Sequence, residues 1–597
     1  MTPAASPSVR PRVLLVALAL LAALAVALPW LLAPLLSGRL RAEAHARGLE
    51  VRWQRLAFAW PLRVTLDGLV LRHADADAPL VTATHVEAWL GPRGLSFKPR
   101  IARLVLEHAH VTLPSRSADD DTTGTLDDEA ASASGPVSPR VRAAADQLAE
   151  ALMLPARRLP ELRITDFELQ RGDSLFARFD ALTLARRAGG VQFAATGVIA
   201  GDHHVPFDGV LEWDAQDRLT GHASFSVPDA ARGPTTLVLH VDGRVSQDRR
   251  AGVLRVAEGT HVQVGHANLS VVGEVRRAGP RLALALAVDG LTARDVQGSL
   301  PPAVLGPLTE LSVRGSWDWR ASLAVDVSQP DSVRFAARVI PHGLQLGPDS
   351  PHLRLAALAA PFVAEIHIPK GLVIRDLSPA NPHFRTLERI SPLLQDALLT
   401  NEDGGFYHHR GFNTEAIELA MAANLRAGSF KRGAGTITMQ LARNLFLGHQ
   451  RTLSRKGQEV VLAWVLEHLT GLTKERLLEI YLNIIEWGPG VHGADEAARF
   501  YFDKDASEVT LDEALFLVVV VPSPTHWKNR LDASGELRPW ARSQMAFIAR
   551  KMVTRGWLAP EQVPDAAALH VHLRGAAAEV FTPHDTTATA PGTPIRI

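Results

Sequence analysis

Three short clusters in the last third of the chain combine carboxylates, cations and glycines at spacings that a plain helical core does not need. The first is Glu402-Asp403-Gly404-Gly405-Phe406-Tyr407-His408-His409-Arg410-Gly411: two carboxylates at an expected helix end, then glycines, an aromatic pair and two histidines. The second follows Lys431 and Arg432. There Gly433-Ala434-Gly435 leads into a helix on which Thr436, Gln440, Arg443 and Asn444 recur at three- and four-residue spacing, giving one polar stripe. A glycine-rich turn that opens a helix leaves backbone N–H groups free for an anion. The third, Arg455-Lys456-Gly457-Gln458-Glu459, sets two cations against one carboxylate on a single helical face. Glycosyl transfer or hydrolysis needs a carboxylate acid or base and something to stabilise the departing group. When that group is a diphosphate, Arg, Lys, a helix N-terminus or a divalent metal serves. Glu402 and Glu459 would be the carboxylates; Lys431, Arg443, Arg455 and Lys456 would carry the charge. Each cluster alone has an ordinary explanation, since an exposed ion pair of the third kind is worth only about 0–1 kcal/mol. Their order along one stretch is the specific signal.

Taken together, the clusters resemble the family 51 glycosyltransferases, the peptidoglycan glycosyltransferases of bifunctional penicillin-binding proteins and monofunctional transglycosylases. The family pattern EDxxFxxHxG is matched by Glu402, Asp403, Phe406, His409 and Gly411. The pattern GxSTIxxQLxKN is matched by Gly433, Thr436, Ile437, Gln440, Leu441 and Asn444, and RKxxE by Arg455, Lys456 and Glu459. A fourth, KxxILExYLN, reads Lys474-Glu-Arg-Leu-Leu-Glu479-Ile-Tyr481-Leu482-Asn483, and the continuation through VPSP at 521–524 looks most like the monofunctional branch. The resemblance implies that Glu402 is the base that deprotonates the 4-hydroxyl of lipid II. It implies that Glu459, with Arg455 and Lys456, assists at the donor diphosphate, with Glu459 as ligand to a divalent cation such as Mg²⁺. Thr436, Gln440 and Arg443 would line the donor site, and Asp403, Phe406, His409, Lys431 and Asn444 complete the implied substrate-binding set. The implied partners are lipid II, the nascent glycan strand and other cell-wall synthesis proteins.

Three positions depart from the family pattern. Its serine is Gly435, its lysine is Arg443, and the arginine often found after the Glu-Asp pair is Gly404. Arginine keeps the charge without the compact ammonium, while the glycines remove side chains outright. Two rival readings keep the same residues: a muramidase-like enzyme that cuts glycan strands, and a drifted lipid-binding or scaffold protein of the cell envelope. The glycine-rich, basic second cluster speaks against the first rival, because a hydrolase holds no diphosphate. A transpeptidase would need Ser-x-x-Lys; Ser96–Lys98 and Ser429–Lys431 are one residue short.

The elements that must position these residues form a mostly helical domain over 360–560. Ser391-Pro392 opens one helix, Thr473 precedes another, and Thr510-Leu-Asp-Glu513 is a capping box before a third. Residues 37–113 and 140–359 have strand-like texture instead. Leu62, Val64 and Leu66 alternate with polar residues, and similar stretches occur at Ile101–Leu113, Leu162–Leu169, Leu237–Val241, Leu282–Val288 and Leu323–Val327. Asp67-Gly68, Asp208-Gly209, Asp242-Gly243 and Asp289-Gly290 read as tight turns between consecutive antiparallel strands. The acidic, Pro/Gly-flanked segment 114–139 reads as a disordered linker, followed by one helix over VRAAADQLAEALM, and 561–597 reads as a tail. Units such as RVTLDGLVLRHADA and ELRITDFELQRGD, behind an N-terminal anchor, resemble the AsmA-like periplasmic proteins; the sheet would then offer an apolar groove, or pack as a sandwich.

Residues 13–36 carry no charge, and at 1.5 Å per residue they would span a hydrocarbon core of roughly 30 Å. Arg10 and Arg12 favour a cytoplasmic segment 1–12. The expected class is therefore multidomain α+β: an N-terminal transmembrane helix, a long antiparallel β-rich region and a C-terminal, mostly α-helical, lysozyme-like glycosyltransferase domain. The expected location is a bacterial inner membrane, single-pass, with the C-terminal domains periplasmic. Hydrophobic residues at 47% exclude a wholly disordered chain. Equal counts of 63 basic and 63 acidic residues give no basic excess for nucleic acid, and the absence of cysteine excludes disulfides and thiolate sites.

Overall fold

A computed structural model of the 597-residue chain describes residues 37–581, apart from residue 47 and the stretches 60–62, 75–77, 91–100, 114–135, 154–158, 172–173, 188–189, 201–203, 229–232, 369–370 and 449–451. The expected anchor at 13–36 and most of the acidic linker lie outside the described residues. Among the described residues no helix is long and apolar enough to cross a membrane. The chain forms two compact units. The first takes in most of the strands up to Val288; the second contains Asp289–Gln297 and everything from Val304 onward.

In the first unit the strands β1 (Leu49–Arg52), β2 (Arg55–Ala59), β3 (Arg63–His73), β4 (Pro79–Leu90), β5 (Ile101–Leu113), β6 (Glu161–Arg171), β7 (Ser174–Arg187), β8 (Gly190–Ile199), β9 (Val205–Trp213), β10 (Arg218–Val227), β11 (Thr235–Asp248), β12 (Val253–Val264), β13 (Ala267–Arg276) and β14 (Arg281–Leu291) lie nearly in chain order in one sheet, with β2 paired to β3. They do not divide into a sandwich. Pairing is antiparallel except between β5 and β6, which run parallel with Leu104 opposite Leu162. A parallel neighbour requires the chain to return to the same end of the sheet. Between β5 and β6 the chain carries the expected helix as α1 (Pro139–Leu152).

The Asp-Gly dipeptides are not turns. Asp67-Gly68 lies within β3, Asp208-Gly209 within β9, Asp242-Gly243 within β11 and Asp289-Gly290 within β14. At Gly68 the pairing keeps its register, Asp67 facing His85 and Leu69 facing Ala83, and Gly68 adopts φ 62°. A left-handed glycine thus sits inside a continuous strand as readily as in a hairpin turn. Alternation that continues past the glycine is what separates the two cases. Across β6–β10 runs a phenylalanine ladder: Phe167 to Phe179 at 5.5 Å, Phe179 to Phe207 at 5.6 Å and Phe207 to Phe225 at 6.2 Å between centroids. Gly197 of β8 pairs with both Phe179 and Phe207, so the rings meet over a strand that has no side chain there.

The second unit opens with the hairpin β15 (Val313–Asp326) and β16 (Arg334–Leu346), then β17 (Phe362–Ile368) and β18 (Gly371–Leu377). The helices α2 (Pro392–Glu402), α3 (Thr414–Ala427), α4 (Ile437–Phe446), α5 (Leu453–His468), α6 (Lys474–Ile484), α7 (Ala494–Phe502), α8 (Leu511–Val520) and α9 (Pro539–Thr554) follow, with a small β19 (Glu486–Gly488)–β20 (Val491–His492) pair between α6 and α7. The expected starts hold: Pro392 is the first residue of α2, Thr473 accepts a hydrogen bond from Arg476 N, and Glu513 accepts one from Thr510 N at 2.9 Å. Helix α8 is the core of the domain, buried from Ala514 through Val520, with its Phe516 edge-on to Tyr501 and Tyr501 in turn edge-on to Trp527. Residues 561–581, read as the start of a tail, instead carry buried Leu569, Val571 and Ala577.

Half-buried Asp396 on α2 has its carboxyl raised by burial from 3.8 to about 6. Folding tightens its hold on the proton, so its ionisation lowers native stability, and the loss grows as pH rises from about 4 to about 6. The full shift would correspond to about 3 kcal/mol, and solvent contact reduces this to about 1 kcal/mol. Asp396→Asn should therefore raise the melting temperature at pH 7 and leave it unchanged at pH 3.5. An equal change at both pH values would show that Asp396 ionisation carries no such cost.

Candidate active site

Glu402 is the last residue of α2. Its Oε2 accepts a hydrogen bond from Gln440 Nε2 at 3.0 Å and its Oε1 one from Asn401 Nδ2 at 2.9 Å. Burial pushes its carboxyl above the ordinary value; these two hydrogen bonds and the nearby Arg443 charge oppose that shift, and Asp403 adds to it. A carboxylate held so is a better base than a free glutamate near neutral pH. The Gln440 amide is oriented in turn, because Tyr481 OH donates to its Oε1 at 2.9 Å. Tyr481 is fully buried, and burial holds its phenol well above its usual range, so it stays a proton donor. In the sequence Tyr481 belongs to the fourth motif, with no site role implied for it. Its signal was a tyrosine on an otherwise apolar helical face.

Tyr481→Phe should free Gln440 to turn its carbonyl toward Glu402. The carboxylate would lose its donor, its pKa would rise, and the acid limb of the activity profile should move up by about one pH unit. A limb that does not move would show that the tyrosine only fills space.

Asp403, next in the chain, does a different job. Its carboxylate meets His409 Nε2 at 2.9 and 3.0 Å and accepts from Ile437 N, the first residue of α4, at 3.0 Å. A carboxylate at a helix N-terminus answers both the free N–H and the dipole. Thr436 caps the same helix, accepting from Met439 N at 3.2 Å and donating to Gly411 O at 2.6 Å. Gly411, at φ 90°, leaves only 3.0 Å between a would-be Cβ and the backbone of Trp464. Phe406 is 1% exposed, with Lys474 Nζ 4.2 Å above its ring. Asp403, Phe406 and Thr436, expected to bind substrate, are thus buried and His409 nearly so, and the bonds of Asp403 and Thr436 join the first cluster to the second. Gln440, Arg443 and Asn444 remain partly exposed on α4, Lys431 is exposed beyond its start, and Asn424 Oδ1 fixes the intervening loop by accepting from Lys431 N at 2.7 Å. Further along, Asn483 binds both backbone groups of Arg385, and Glu479 accepts from Leu387 N at 2.9 Å. The fourth motif therefore anchors the segment leading into α2.

Glu459 is 3% exposed and paired with Arg455, and with Lys456 Nζ at 3.0 Å. Helix α5, which carries all three, packs on α4. Both carboxylate oxygens are committed to cations, and among the described residues no three His, Asp or Glu side chains come together as metal ligands. This donor set, with both oxygens held by cations, does not fit a resident divalent cation.

The two glycine departures have different meanings. At Gly435 a Cβ would find Lys456 Nζ at 3.6 Å, an ordinary contact. At Gly404 it would fall 1.5 Å from Nη1 of Arg555, whose guanidinium fills the space a side chain would take. Arg555 follows α9, and nothing in the sequence pointed to it. Burial lowers its pKa, and the Asp403 charge opposes this.

A family model described as transglycosylase matches residues 370–553. A biosynthetic peptidoglycan transglycosylase from Chromobacterium violaceum is 43% identical over 163 residues, covering 27% of this chain and 71% of the relative. The chain belongs to the transglycosylase family. Proteins of the same name from Paraburkholderia xenovorans and Acinetobacter baylyi are 41% and 39% identical, over 66% and 68% of their lengths and 28% and 26% of this chain. The chain thus spans about two thirds of the length of the relatives it matches. The transglycosylase match holds all four motifs and leaves β1–β16 and Arg555 outside it.

Proposed function

We propose that the chain is a membrane-anchored peptidoglycan glycosyltransferase that polymerises lipid II and releases undecaprenyl diphosphate, with its folded units on the periplasmic side of the inner membrane. The observation that carries this reading is the Tyr481–Gln440–Glu402 relay, whose Gln440 lies on α4, the helix that also presents Arg443 and packs against α5 with its Arg455–Lys456–Glu459 cluster. Glu402 takes the proton from the acceptor 4-hydroxyl as its oxygen bonds to the donor anomeric carbon. The bond from that carbon to the diphosphate breaks, the electron pair leaves on the phosphate oxygen, and the configuration inverts. Cations are worth most where that charge develops. The names of the relatives and the family's four motifs support the same substrate class.

The test is incubation of the full-length, detergent-solubilised chain with fluorescent lipid II. A ladder of glycan products with undecaprenyl diphosphate released in step is expected. Shortening of preformed glycan without consumption of lipid II would replace this reading with the muramidase-like one.

A further inference from the structure

Beside the donor-side cations lies a cavity of about 870 Å³, at the upper end of the range for small-molecule sites. One wall belongs to the transglycosylase domain: Met439 of α4, Val460, Val461 and Trp464 of α5, and the Gly433–Gly435 segment. The opposite wall is the β15–β16 hairpin, which lies outside the family match. Strand alternation turns Trp317 and Trp319 of β15, and Phe335, Ala337 and Val339 of β16, toward this space. The hairpin is fastened in place. Glu418 of α3 accepts from Phe335 N at 2.8 Å, and Arg426 of α3 pairs with Asp331 in the turn between the two strands.

Nearly all the lining is apolar, and its charged member is Lys456, the same residue that pairs with Glu459. Phe430, 66% exposed, and Val461, 42% exposed, also belong to it, and Lys431 and Arg432 adjoin Phe430 in the chain. An apolar chamber with cations at one side fits a ligand with a long hydrocarbon chain and an anionic head.

We infer that this cavity receives the polyprenyl chain of a prenyl-diphosphate glycosyl donor, or of the prenyl diphosphate that leaves it, with the diphosphate toward Lys456. The inference rests on the polymerase reading for its choice of lipid. It assigns the β15–β16 hairpin a direct part in binding: the hairpin closes over a surface of the transglycosylase domain and holds the chain while the head reacts.

The test uses the full-length chain in detergent micelles with a benzophenone-bearing polyprenyl diphosphate, and mass spectrometry to locate the crosslinks. Label is expected on the peptides that carry Trp317–Val339, displaced by undecaprenyl diphosphate and not by a diacyl phosphatidic acid. Label confined to other peptides, or equal displacement by phosphatidic acid, overturns the inference. In polymerisation assays Ala337→Trp, which fills the cavity, should raise KM for undecaprenyl lipid II about ten-fold more than KM for a short-chain analogue. Should that variant not fold, the crosslink on the unaltered chain decides. Active polymerisation with no chain-length effect and no label in the hairpin rejects the cavity and keeps the polymerase. Hairpin labelling in a chain that makes no glycan keeps the cavity and rejects the polymerase.

Discussion

Glu402→Gln should fold as the wild type does and lower kcat for lipid II polymerisation by about 10³-fold. The substitution keeps the shape of the side chain and leaves a carbonyl oxygen to accept from Gln440 Nε2, now at 3.0 Å from the carboxylate. What disappears is the ability to take a proton. The wild-type rate should fall as pH drops through the Glu402 pKa, which burial sets above that of a free glutamate, and the residual rate of the variant should lack that limb. Activity within ten-fold of wild type would remove Glu402 from the base role, whatever its surroundings.

Glu459→Gln should have the next largest effect, on two quantities together. The Arg455 side chain is 16% exposed and Glu459 is its ion-pair partner. Removing the Glu459 charge from this largely buried ion pair should cost up to about 3 kcal/mol, which a lowered melting temperature would report. Loss of the fixed cation pair should also reduce kcat/KM by about 10²-fold. Adding Arg455→Met separates the two. Removing both charges relieves the desolvation penalty, so the double variant should recover most of the melting temperature and none of the activity. Recovery of both would make the cluster a structural brace and move diphosphate stabilisation to other cations.

The two pairs of residues at the centre of these predictions differ in how visible they were. Glu402 and Glu459 stood out because the ordered clusters around them are local in sequence, and local spacing on a helix translates directly into a shared face. The relay behind Glu402 was only partly visible: Gln440 lay on the polar stripe, but its partner Tyr481 is 41 residues away. Thr436 shows the opposite failure. It sits on the stripe by spacing, yet the N-cap position turns its hydroxyl to Gly411 and buries it. Spacing cannot distinguish a residue that caps a helix from one that faces its ligand.

In the β-rich region alternation located the strands well, Ile101–Leu113 to the residue. The same region misled at the Asp-Gly pairs, which favour hairpin turns and yet lie inside β3, β9, β11 and β14, where the cross-strand partners carry the chain straight on. The parallel β5–β6 pair could not be read either, since strand direction depends on where the intervening chain returns.

The amino-acid sequence by itself determined the clusters, the helices that carry them and the apolar period of the strands, because these follow from interactions between residues a few positions apart. Only the tertiary structure decided that Arg555 fills the space over Gly404, that Tyr481 aims the Gln440 amide, and that a hairpin far upstream closes an apolar cavity beside Lys456. Each of these joins segments distant in the chain, and such meetings are set by how whole elements pack.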